Sequence, residues 1–581
     1  MIEKFYEEEL RYLYESGREF ARAHPDRAQF LNIEAVGDRD PYVERLFEGF
    51  AFLAARIREK LDDSLPELTE GIVNLMWPHF QQTIPSIAMI EFRPRKGFLQ
   101  ETKVLGKGAE LLTNPLGSES VIGKFTTTND VPLHPVTLDT LEKKTDTKGK
   151  GSLAFSFLID PGVKWQALNL SPLRMYIHAE LPTALAVHEL MTQHCVKAEV
   201  IFDDGRASFQ IDPGTAVATG GLSPSESLLP ADSRSFWGYM LLLEYFVYPE
   251  KFLFVDLSGF DVQQIDFAPE KFTIKLTFDK ELPAEKPFGM ENFRLFCSPA
   301  VNLFRQDTEP VRNTGKETEY RVIGDAQYRE SVEPHSIIAV TGIDRGTGEK
   351  FPYEPFHSFK ALGKKNTRTY TTHYRMGFSG KRELYITIGS GQATGGELHE
   401  ENLSIEAWCT NGVLAREEIR EGGINKPGAS FPDYVMFSNI TRPALPCLPP
   451  ANEDYLWVFL SHLGATYSSF ASADSLKTFL SLYEWSRSEG RKRRIEAISD
   501  VSVKPAESVI GGTAVRGVQF TVTLQESEFQ DSGDMHLFGE VLKEFLANYI
   551  SINSFLDLVI ISRPSGRQAR WSSLRGKKCP I

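Results

Sequence analysis

The sequence predicts a multidomain α+β protein with a helical N-terminal region, a β-rich middle of antiparallel sheets and an α+β C-terminal domain. Two observations support this fold class. Apolar residues recur every three or four positions up to about residue 80, and they alternate every second position after Pro85. Beyond residue 440 both patterns occur together. The chain has 581 residues, which is enough for several domains of ordinary size.

We expect four domains along the chain. Their boundaries fall where the apolar period changes or where proline and turn-forming residues cluster. The expected domains are a helical N-terminal region over residues 1–85, a β-rich domain over 86–235, a second β-rich domain over 236–440 and an α+β domain over 441–581. Hydrophobic residues make up 41% of the chain and charged residues 24%, which are values typical of folded globular proteins.

The N-terminal region is predicted to form three helices. Pro25 ends the first helix, Pro41 opens the second, and the third begins near Pro66. The second helix carries an apolar stripe at helical spacing. Three helices supply only a thin core, so we expect this stripe to pack against another subunit or another domain, although packing within its own domain would produce the same pattern. The candidate interface residues on this helix are Val43, Leu46, Phe47, Phe50, Leu53 and Ile57.

The β-rich middle is predicted from strict alternation of apolar residues with small or polar ones. This alternation occurs at residues 153–159, 272–278 and 384–388, and it is typical of half-buried strands in antiparallel sheets. Turn-forming sequences that contain Asp and Gly separate the predicted strands. Residues 142–151 and 213–235 are predicted to be surface loops.

The C-terminal domain begins with a proline-rich bridge over residues 441–450, which we expect to be extended and stiff. Helices are predicted near residues 474–486 and 535–550, with strands at 518–524 and 555–562. The helix near 535–550 carries two adjacent apolar ridges. A strand can cover one ridge, so we expect the other to contact a second copy or a partner. The candidate interface residues on this helix are Leu537, Phe538, Leu542 and Phe545.

The sequence contains no motif that predicts a catalytic, cofactor-binding or metal site. The glycines at residues 389–396 join two predicted strands, whereas a dinucleotide-binding loop must open a helix. His188 and His194 are six positions apart, a spacing that does not place both on one helix face for zinc. We therefore expect no cofactor and no metal. A β-rich carbohydrate-active enzyme is the alternative function, because two carboxylates about 5–9 Å apart across a cleft leave no sequence signature.

The net charge is −14, and this acidic balance argues against a general nucleic-acid-binding protein. Residues 1–80 contain 17 acidic and 10 basic residues, whereas the end of the chain is basic. The basic end either docks on an acidic surface or is simply solvated. The same two interpretations apply to the basic run at residues 491–494. The basic residues at the end are Arg563, Arg567, Arg570, Arg575, Lys577 and Lys578.

The cysteine usage indicates a reducing compartment. Five cysteines lie far apart in the chain, so no disulfide framework is predicted. The N-terminus is too charged for a signal peptide, and no stretch approaches the roughly 18 apolar residues of a membrane-spanning helix. We therefore expect a cytoplasmic protein without direct membrane insertion.

Several segments of the sequence are similar to those of one protein family. They include Asp40-Pro41-Tyr42-Val43-Glu44-Arg45-Leu46, Trp77-Pro78-His79-Phe80, Glu244-Tyr245-Phe246-Val247-Tyr248-Pro249-Glu250-Lys251-Phe252, Pro299-Ala300-Val301-Asn302-Leu303-Phe304, Cys409-Thr410-Asn411, Thr441-Arg442-Pro443 and Leu537-Phe538-Gly539-Glu540-Val541-Leu542. Together they resemble the type VI secretion baseplate family TssF, also called VasA or ImpG. The similarity spans the chain, with a departure after the proline-rich bridge at Trp457-Val458-Phe459.

This resemblance implies a structural role in the wedge of a contractile injection machine. Two copies of the chain are expected to bind one TssG, which in turn holds TssK. Six such wedges would surround the spike hub, beside the sheath initiator TssE and other sheath neighbours. The resemblance implies no enzymatic activity and no cofactor. It also implies that the protein docks at the inner-membrane complex as part of the baseplate.

Overall fold

The structure is a computed structural model of the chain. It describes residues 6–7, 10–14, 16, 42, 45–56, 71–74, 77–230, 236–259, 265, 267–314, 317–356, 368–377, 380–389, 400–450, 466–510 and 513–577. The chain divides into two compact units. Unit 1 comprises residues 1–81 and 451–463, and unit 2 comprises residues 82–450 and 464–581.

Unit 1 is helical over most of its described residues. Residues 45–56 form a continuous helical stretch, and residues 71–74 are also helical. A short 3₁₀ turn follows at Pro78–Gln81, where all four residues are buried. The helices predicted after Pro41 and after Pro66 are therefore confirmed where the structure describes them.

Unit 2 contains the described β-strands. In chain order they are β1 Ile87–Pro94, β2 Lys103–Leu105, β3 Glu110–Leu116, β4 Val121–Thr127, β5 Val131–Leu133, β6 Val136–Thr145, β7 Gly151–Ile159, β8 Leu173–Ile177, β9 Cys195–Phe202, β10 Ala207–Ile211, β11 Val217–Thr219, β12 Phe254–Leu257, β13 Lys271–Phe278, β14 Phe293–Leu295, β15 Cys297–Val301, β16 Phe304–Asp307, β17 Val311–Asn313, β18 Glu319–Arg321, β19 Glu333–Asp344, β20 Lys350–Pro355, β21 Thr369–Met376, β22 Arg382–Gly389, β23 Glu401–Thr410, β24 Ile424–Pro427, β25 Val435–Asn439, β26 Ile498–Ile510, β27 Thr513–Gln525, β28 Phe555–Arg563, β29 Gln568–Arg570 and β30 Leu574–Arg575.

The described helices of unit 2 lie between these strands. They are α1 Leu181–Gln193, α2 Pro213–Ala216, α3 Trp237–Val247, α4 Leu414–Glu418, α5 Ala473–Ser481, α6 Glu489–Glu496 and α7 Ser532–Ala547.

The strands of unit 2 form several mostly antiparallel sheets. A six-stranded sheet has the order β24-β3-β4-β15-β1-β25, and a five-stranded sheet has the order β10-β9-β13-β7-β6. A four-stranded sheet has the order β11-β12-β8-β14. An eight-stranded sheet runs β16-β23-β19-β20-β21-β22-β18, with β17 beside β23, and β2 pairs with β5. The C-terminal sheet has the order β26-β27-β28-β29, with β30 also beside β28.

Strand β1 lies inside the six-stranded sheet and joins distant parts of the chain. Ile87 is opposite Val301 of β15, and Ile90 is opposite Asn439 of β25. Strands from both predicted β-rich domains thus share one sheet. The apolar side chains of this sheet form a continuous buried core. The four-domain division itself stays a prediction.

The alternation predicted for the five-stranded sheet is confirmed. Phe155 and Phe157 of β7 and Ile274 and Leu276 of β13 are buried, whereas the residues between them are partly exposed. The rings of Phe157 and Phe272 stack across the two strands with centroids 4.9 Å apart. One face of this sheet therefore covers the core, as the period of two requires.

The two predicted surface loops are shorter than expected. Strand β6 continues to Thr145 and β7 starts at Gly151, so the first loop is a tight hairpin connection. The second segment contains helix α2 and strand β11. The Asp212 side chain accepts a hydrogen bond from Gly214 N at 3.2 Å and caps α2, and this local cap explains why a turn-rich sequence becomes helical.

The C-terminal part of unit 2 is an α+β arrangement, as predicted. Strands β26 and β27 form a long antiparallel hairpin, and β27 pairs in parallel with β28 through the crossover helix α7. The Asp531 side chain caps α7 by accepting a hydrogen bond from Asp534 N at 2.9 Å. Helix α7 packs on α1, α3 and β28. It is therefore the central helix of this part of the molecule.

Candidate interaction surfaces

Unit 1 exposes a stripe of large apolar side chains on the helix at residues 45–56. The exposed fraction is 59% for Leu46, 58% for Phe50 and 58% for Leu53. At 100° per residue these three side chains lie within about 60° of the helix circumference. Ala51 and Ala55, on the opposite side, are fully buried. We call Leu46, Phe50 and Leu53 the N-terminal stripe; such a contiguous apolar surface is typical of an interaction site.

The other candidates on this helix differ from the N-terminal stripe. Phe47 is half-buried, and its ring lies edge-on to that of Tyr14 with centroids 5.7 Å apart. Phe47 thus contributes to packing within unit 1. Val43 and Ile57 lie outside the described residues.

The candidate interface residues of α7 lie inside the chain. Leu537, Phe538, Leu542 and Phe545 are at most 2% exposed. The expectation that one ridge of this helix lacks a cover within the chain is wrong, because α1 and α3 cover it. The Phe538 ring, for example, lies 6.1 Å from the Tyr245 ring of α3, measured between centroids. The Phe545 ring contacts that of Phe479 on α5 at a centroid distance of 5.3 Å.

A signal for this internal cover was present in the sequence. Helix α3 has the sequence WGYMLLLEYFV, and ten of its eleven residues are buried. A helix that is apolar on all sides must be buried on all sides, so α3 needed partners within the molecule. Gly533 of α7 allows the close approach of α1, since an added Cβ atom would lie 2.5 Å from Leu185 O.

The basic run at residues 491–494 is neither a loop nor mainly a solvated surface. It lies within α6, and its first and last arginines point inward. Arg494 is 5% exposed and forms an ion pair with Asp534, with an Nη2 to Oδ1 distance of 2.9 Å. The Arg491 guanidinium donates hydrogen bonds to the carbonyls of Phe246 and Val247 at the end of α3. Burial lowers the pKa of Arg491. These two arginines hold α6, α7 and α3 together.

The basic end of the chain is part of the C-terminal sheet. Strands β29 and β30 pair with β28, and Trp571 between them is 3% exposed. Arg570 donates to Asp557 at 2.8 Å, and Lys577 pairs with Glu544. The segment is therefore structured rather than a free tail. Arg563, Arg567 and Arg575 remain exposed.

Polar residues of the resemblance segments lie in buried networks. Asn302 is fully buried, and its Nδ2 donates to Asn411 Oδ1 at 2.8 Å. Asn411 Nδ2 in turn donates to Ser331 O at 2.9 Å. Glu244 and Lys251 form an ion pair in which both side chains are at most 2% exposed. These side chains satisfy each other inside the fold, so their role in this chain is structural.

The described residues contain no group of three His, Cys, Asp or Glu side chains placed to hold a metal ion. His194 instead lies 2.8 Å from Asp279 through Nδ1 and 3.5 Å from Glu189 through Nε2.

Burial raises the pKa of the Cys195 and Cys447 thiols to about 11, which makes both poor nucleophiles.

A cavity of about 490 Å³ lies beside the β26–β27 hairpin, and Tyr467, Val503, Pro505 and Val518 contribute to its lining. Glu507 is the one carboxylate in that lining. This cavity therefore lacks the carboxylate pair that glycoside hydrolysis requires.

Within the described part of the chain, no helix combines the length and the apolar character needed to cross a bilayer.

Comparison with known proteins gives consistent matches. The family described as "Type VI secretion system, TssF" matches residues 1–578. The chain is 27% identical to the type VI secretion system component TssF1 of Pseudomonas aeruginosa PAO1. The alignment is 620 positions long and covers 99% of this chain and 98% of the relative.

Two solved structures have the same fold over nearly the whole chain. One is a chain of the TssK-TssF-TssG baseplate subcomplex solved by cryo-electron microscopy, with a TM-score of 0.75 and 29% identity over 92% of this chain and 100% of that chain. The other is a chain of the type VI secretion system baseplate complex, with a TM-score of 0.63 and 28% identity over 100% of both chains. Because the family match extends over nearly all residues, the chain belongs to the TssF family of the type VI secretion system.

Proposed function

We propose that this chain is a structural subunit of a type VI secretion baseplate wedge, in which it binds TssG and, through TssG, TssK. Relatives of the same fold occur in a baseplate subcomplex that contains both of these proteins. The observation on this chain that carries the proposal is the N-terminal stripe, because it is an apolar surface that unit 1 leaves exposed.

The geometry of the N-terminal stripe suits a helical partner. Its residues are spaced by four and three positions, which is the spacing that inserts side chains between those of a neighbouring helix. Full burial stabilises a Leu or Phe side chain by about 1.5–3 kcal/mol. Since each of these side chains is a little over half exposed, binding would gain roughly half of that from each. The three side chains together would contribute roughly 2–4.5 kcal/mol. Because association costs about 4–15 kcal/mol of entropy, the stripe must act together with other contacts of the same interface.

The proposal includes two copies of this chain for each TssG. Two copies around one partner cannot have identical neighbours, so the same surface would serve different contacts in each copy. The remaining partners in the proposal are TssE, the spike hub and the sheath, with the baseplate docked at the inner-membrane complex in the cytoplasm. The role is mechanical, and we propose no enzymatic activity for it.

Co-expression with TssG tests this function. We expect a stable complex whose mass, measured by light scattering after size-exclusion chromatography, corresponds to two copies of this chain and one TssG. The chain expressed alone should associate nonspecifically, because the N-terminal stripe is exposed. A monodisperse monomer that does not bind TssG would contradict the proposal.

A further inference from the structure

The segments of unit 2 that lead to unit 1 are paired with each other. The chain passes from unit 1 to unit 2 after Gln81 and returns after Pro450, with a third passage at residues 463–464. Close to the first two passages, Ile84 N donates to Cys447 O at 2.8 Å and Cys447 N donates to Ile84 O at 2.9 Å. Two such reciprocal bonds define a directly opposed antiparallel pair.

Further hydrogen bonds link this isolated pair to the six-stranded sheet. Ala444 N donates to Ile87 O at 2.8 Å, and Met89 N donates to the Thr441 hydroxyl at 2.9 Å. Strand β25 pairs with β1 from Asn439, opposite Ile90, back to Val435, opposite Pro94. Residues 84–94 and 435–447 therefore run side by side, joined by the isolated Ile84–Cys447 bridge, by single hydrogen bonds and by the β1–β25 ladder, and we call these two segments the stalk. Its side chains at residues 84 and 87–90 are at most 2% exposed.

A second contact fastens the end of the stalk to the eight-stranded sheet. His335 of β19 is 5% exposed, and its Nε2 donates to Thr83 O at 2.7 Å. The Tyr374 hydroxyl of β21 donates in turn to His335 O. The backbone next to the first passage is thus held by two sheets of unit 2 at once.

We propose that the stalk is a rigid, load-bearing connection that stays closed when unit 1 is pulled or reoriented. Both of its strands meet unit 1 at the same end, because antiparallel pairing places the start of β1 beside the segment that follows β25. A pull on unit 1 therefore draws both strands in one direction and does not separate Ile84 from Cys447. The share of the load that enters through the stalk passes to the pairing of β1 with β15, where several hydrogen bonds must be strained together.

Hydrogen exchange of the full chain tests the closed stalk directly. The amides of Ile84, Ala444 and Cys447 should exchange as slowly as those of β15, because backbone groups in a stable pair open only with the surrounding structure. A matched comparison is the exposed turn at residues 146–150, which should exchange rapidly. Exchange of the stalk amides at the rate of this turn would overturn the proposal.

A disulfide cross-link tests whether the stalk stays closed while the secretion particle contracts. Directly opposed residues with reciprocal bonds have Cα atoms about 5.5 Å apart, a distance that a disulfide can span. The Ile84→Cys variant should therefore form a disulfide with the native Cys447 on oxidation with diamide. Ile84→Cys combined with Cys447→Ser is the control that cannot cross-link.

The mechanical consequence of the stalk rests on the proposed function. Purified secretion particles that carry the cross-link should contract to within about twofold of the reduced particles. Loss of contraction in the cross-linked particles alone would show that the pair must open, and the proposal would be wrong. If the reduced variant and the unmodified chain both fail to bind TssG, the proposed function fails instead, and hydrogen exchange on the isolated chain still decides whether the stalk is closed.

Discussion

His188 lies fully buried on α1, and the centroid of its ring is 6.2 Å from that of His536 on α7. Within the described residues neither of its ring nitrogens has a hydrogen-bond partner. Burial lowers the pKa of His188 to about 3 and that of His536 to about 4, and the carboxylates of Glu189 and Glu540 only partly oppose this for His188. Both imidazoles are therefore neutral in the folded protein at neutral pH.

This burial predicts acid sensitivity. A histidine whose folded pKa is depressed favours folding above its unfolded pKa of about 6.5, and that stability is lost as the pH falls below it. Each such histidine should reduce the free energy of unfolding by up to about 1.4 kcal/mol per pH unit until the folded pKa is reached. His188→Leu should flatten this dependence between pH 6.5 and 4, measured by urea denaturation.

His194 supplies a control of opposite sign. The carboxylates of Glu189 and Asp279 raise the pKa of His194, so its contribution to stability is present below pH 6.5 and is lost as the pH rises through the folded pKa. His194→Gln should therefore cost more stability at pH 5 than at pH 8. Equal pH profiles for the wild type and both variants would contradict this account of the histidines.

Arg494 shows why the charge of a residue alone does not reveal its role. In the sequence Arg494 belongs to a basic run, which suggests an exposed side chain. In the structure its guanidinium pairs with Asp534 and lies 3.4 Å from the Tyr245 hydroxyl. Arg494→Ala should lower the free energy of unfolding by about 3–5 kcal/mol, because it leaves the Asp534 carboxylate buried and unpaired. Arg494→Met combined with Asp534→Leu should recover most of that loss.

The matched control lies on the same helix. Lys492 forms an exposed ion pair with Glu489 at 3.1 Å, and such pairs contribute about 0–1 kcal/mol. Lys492→Ala should therefore have little effect on thermal denaturation. A similar loss of stability for both α6 variants would remove the distinction between inward and outward basic residues.

At the scale of elements, local patterns predicted the type of most helices and strands but not their neighbours. The period of two in β7 and β13 follows from one buried face, which is a local property of each strand. The partners of β1, however, lie more than 200 and 300 residues away in sequence. No local pattern encodes such a pairing, so the sequence placed strands of one sheet in two predicted domains.

The two apolar helix faces make the same point about candidate interfaces. The N-terminal stripe and the ridges of α7 have similar spacing, yet the first is exposed and the second is buried beneath α1 and α3. An apolar pattern defines a face of a helix, but it does not define what covers that face. The sequence of α3, in which Glu244 is the one charged residue, was the available evidence that α7 would be covered from within.

The basic end of the chain gives a prediction at this scale. Deleting residues 563–581 should destabilise unit 2 at every salt concentration, because it removes β29, β30 and Trp571, whose ring stacks on His536 at 5.6 Å. Loss of a buried Trp side chain alone costs about 3–5 kcal/mol. Thermal denaturation at low and high ionic strength measures this. Arg567→Ala, which removes an exposed side chain of the same segment, is the control and should leave the transition unchanged.

A different result would restore the earlier interpretation of this segment. If the protein lacking residues 563–581 unfolds at the wild-type temperature and only its binding to TssG weakens with salt, the segment acts as an electrostatic docking tail. The antiparallel pairing of β29 with β28 and the bond from Arg570 to Asp557 argue against that outcome.

At the scale of the whole molecule, unit 2 buries most of its apolar side chains in its own cores, whereas unit 1 leaves the N-terminal stripe exposed along one helix face. Most apolar side chains of the large sheets are buried in continuous cores. The chain has a net charge of −14, but its inward arginines and paired carboxylates show that this total says little about any one surface. The surface that distinguishes an assembly subunit here is apolar rather than charged.

The most direct test of this account is the affinity of TssG for the full chain with Phe50→Asp, compared with Phe98→Asp. Both Phe side chains are exposed, at 58% and 63%, and Phe98 lies in unit 2. Placing an unpaired charge in a desolvated contact costs several kcal/mol, so Phe50→Asp should weaken binding by at least about a hundredfold, measured by isothermal titration calorimetry. Phe98→Asp should bind like the wild type. Wild-type affinity of the Phe50→Asp protein would contradict the claim that the N-terminal stripe binds the partner.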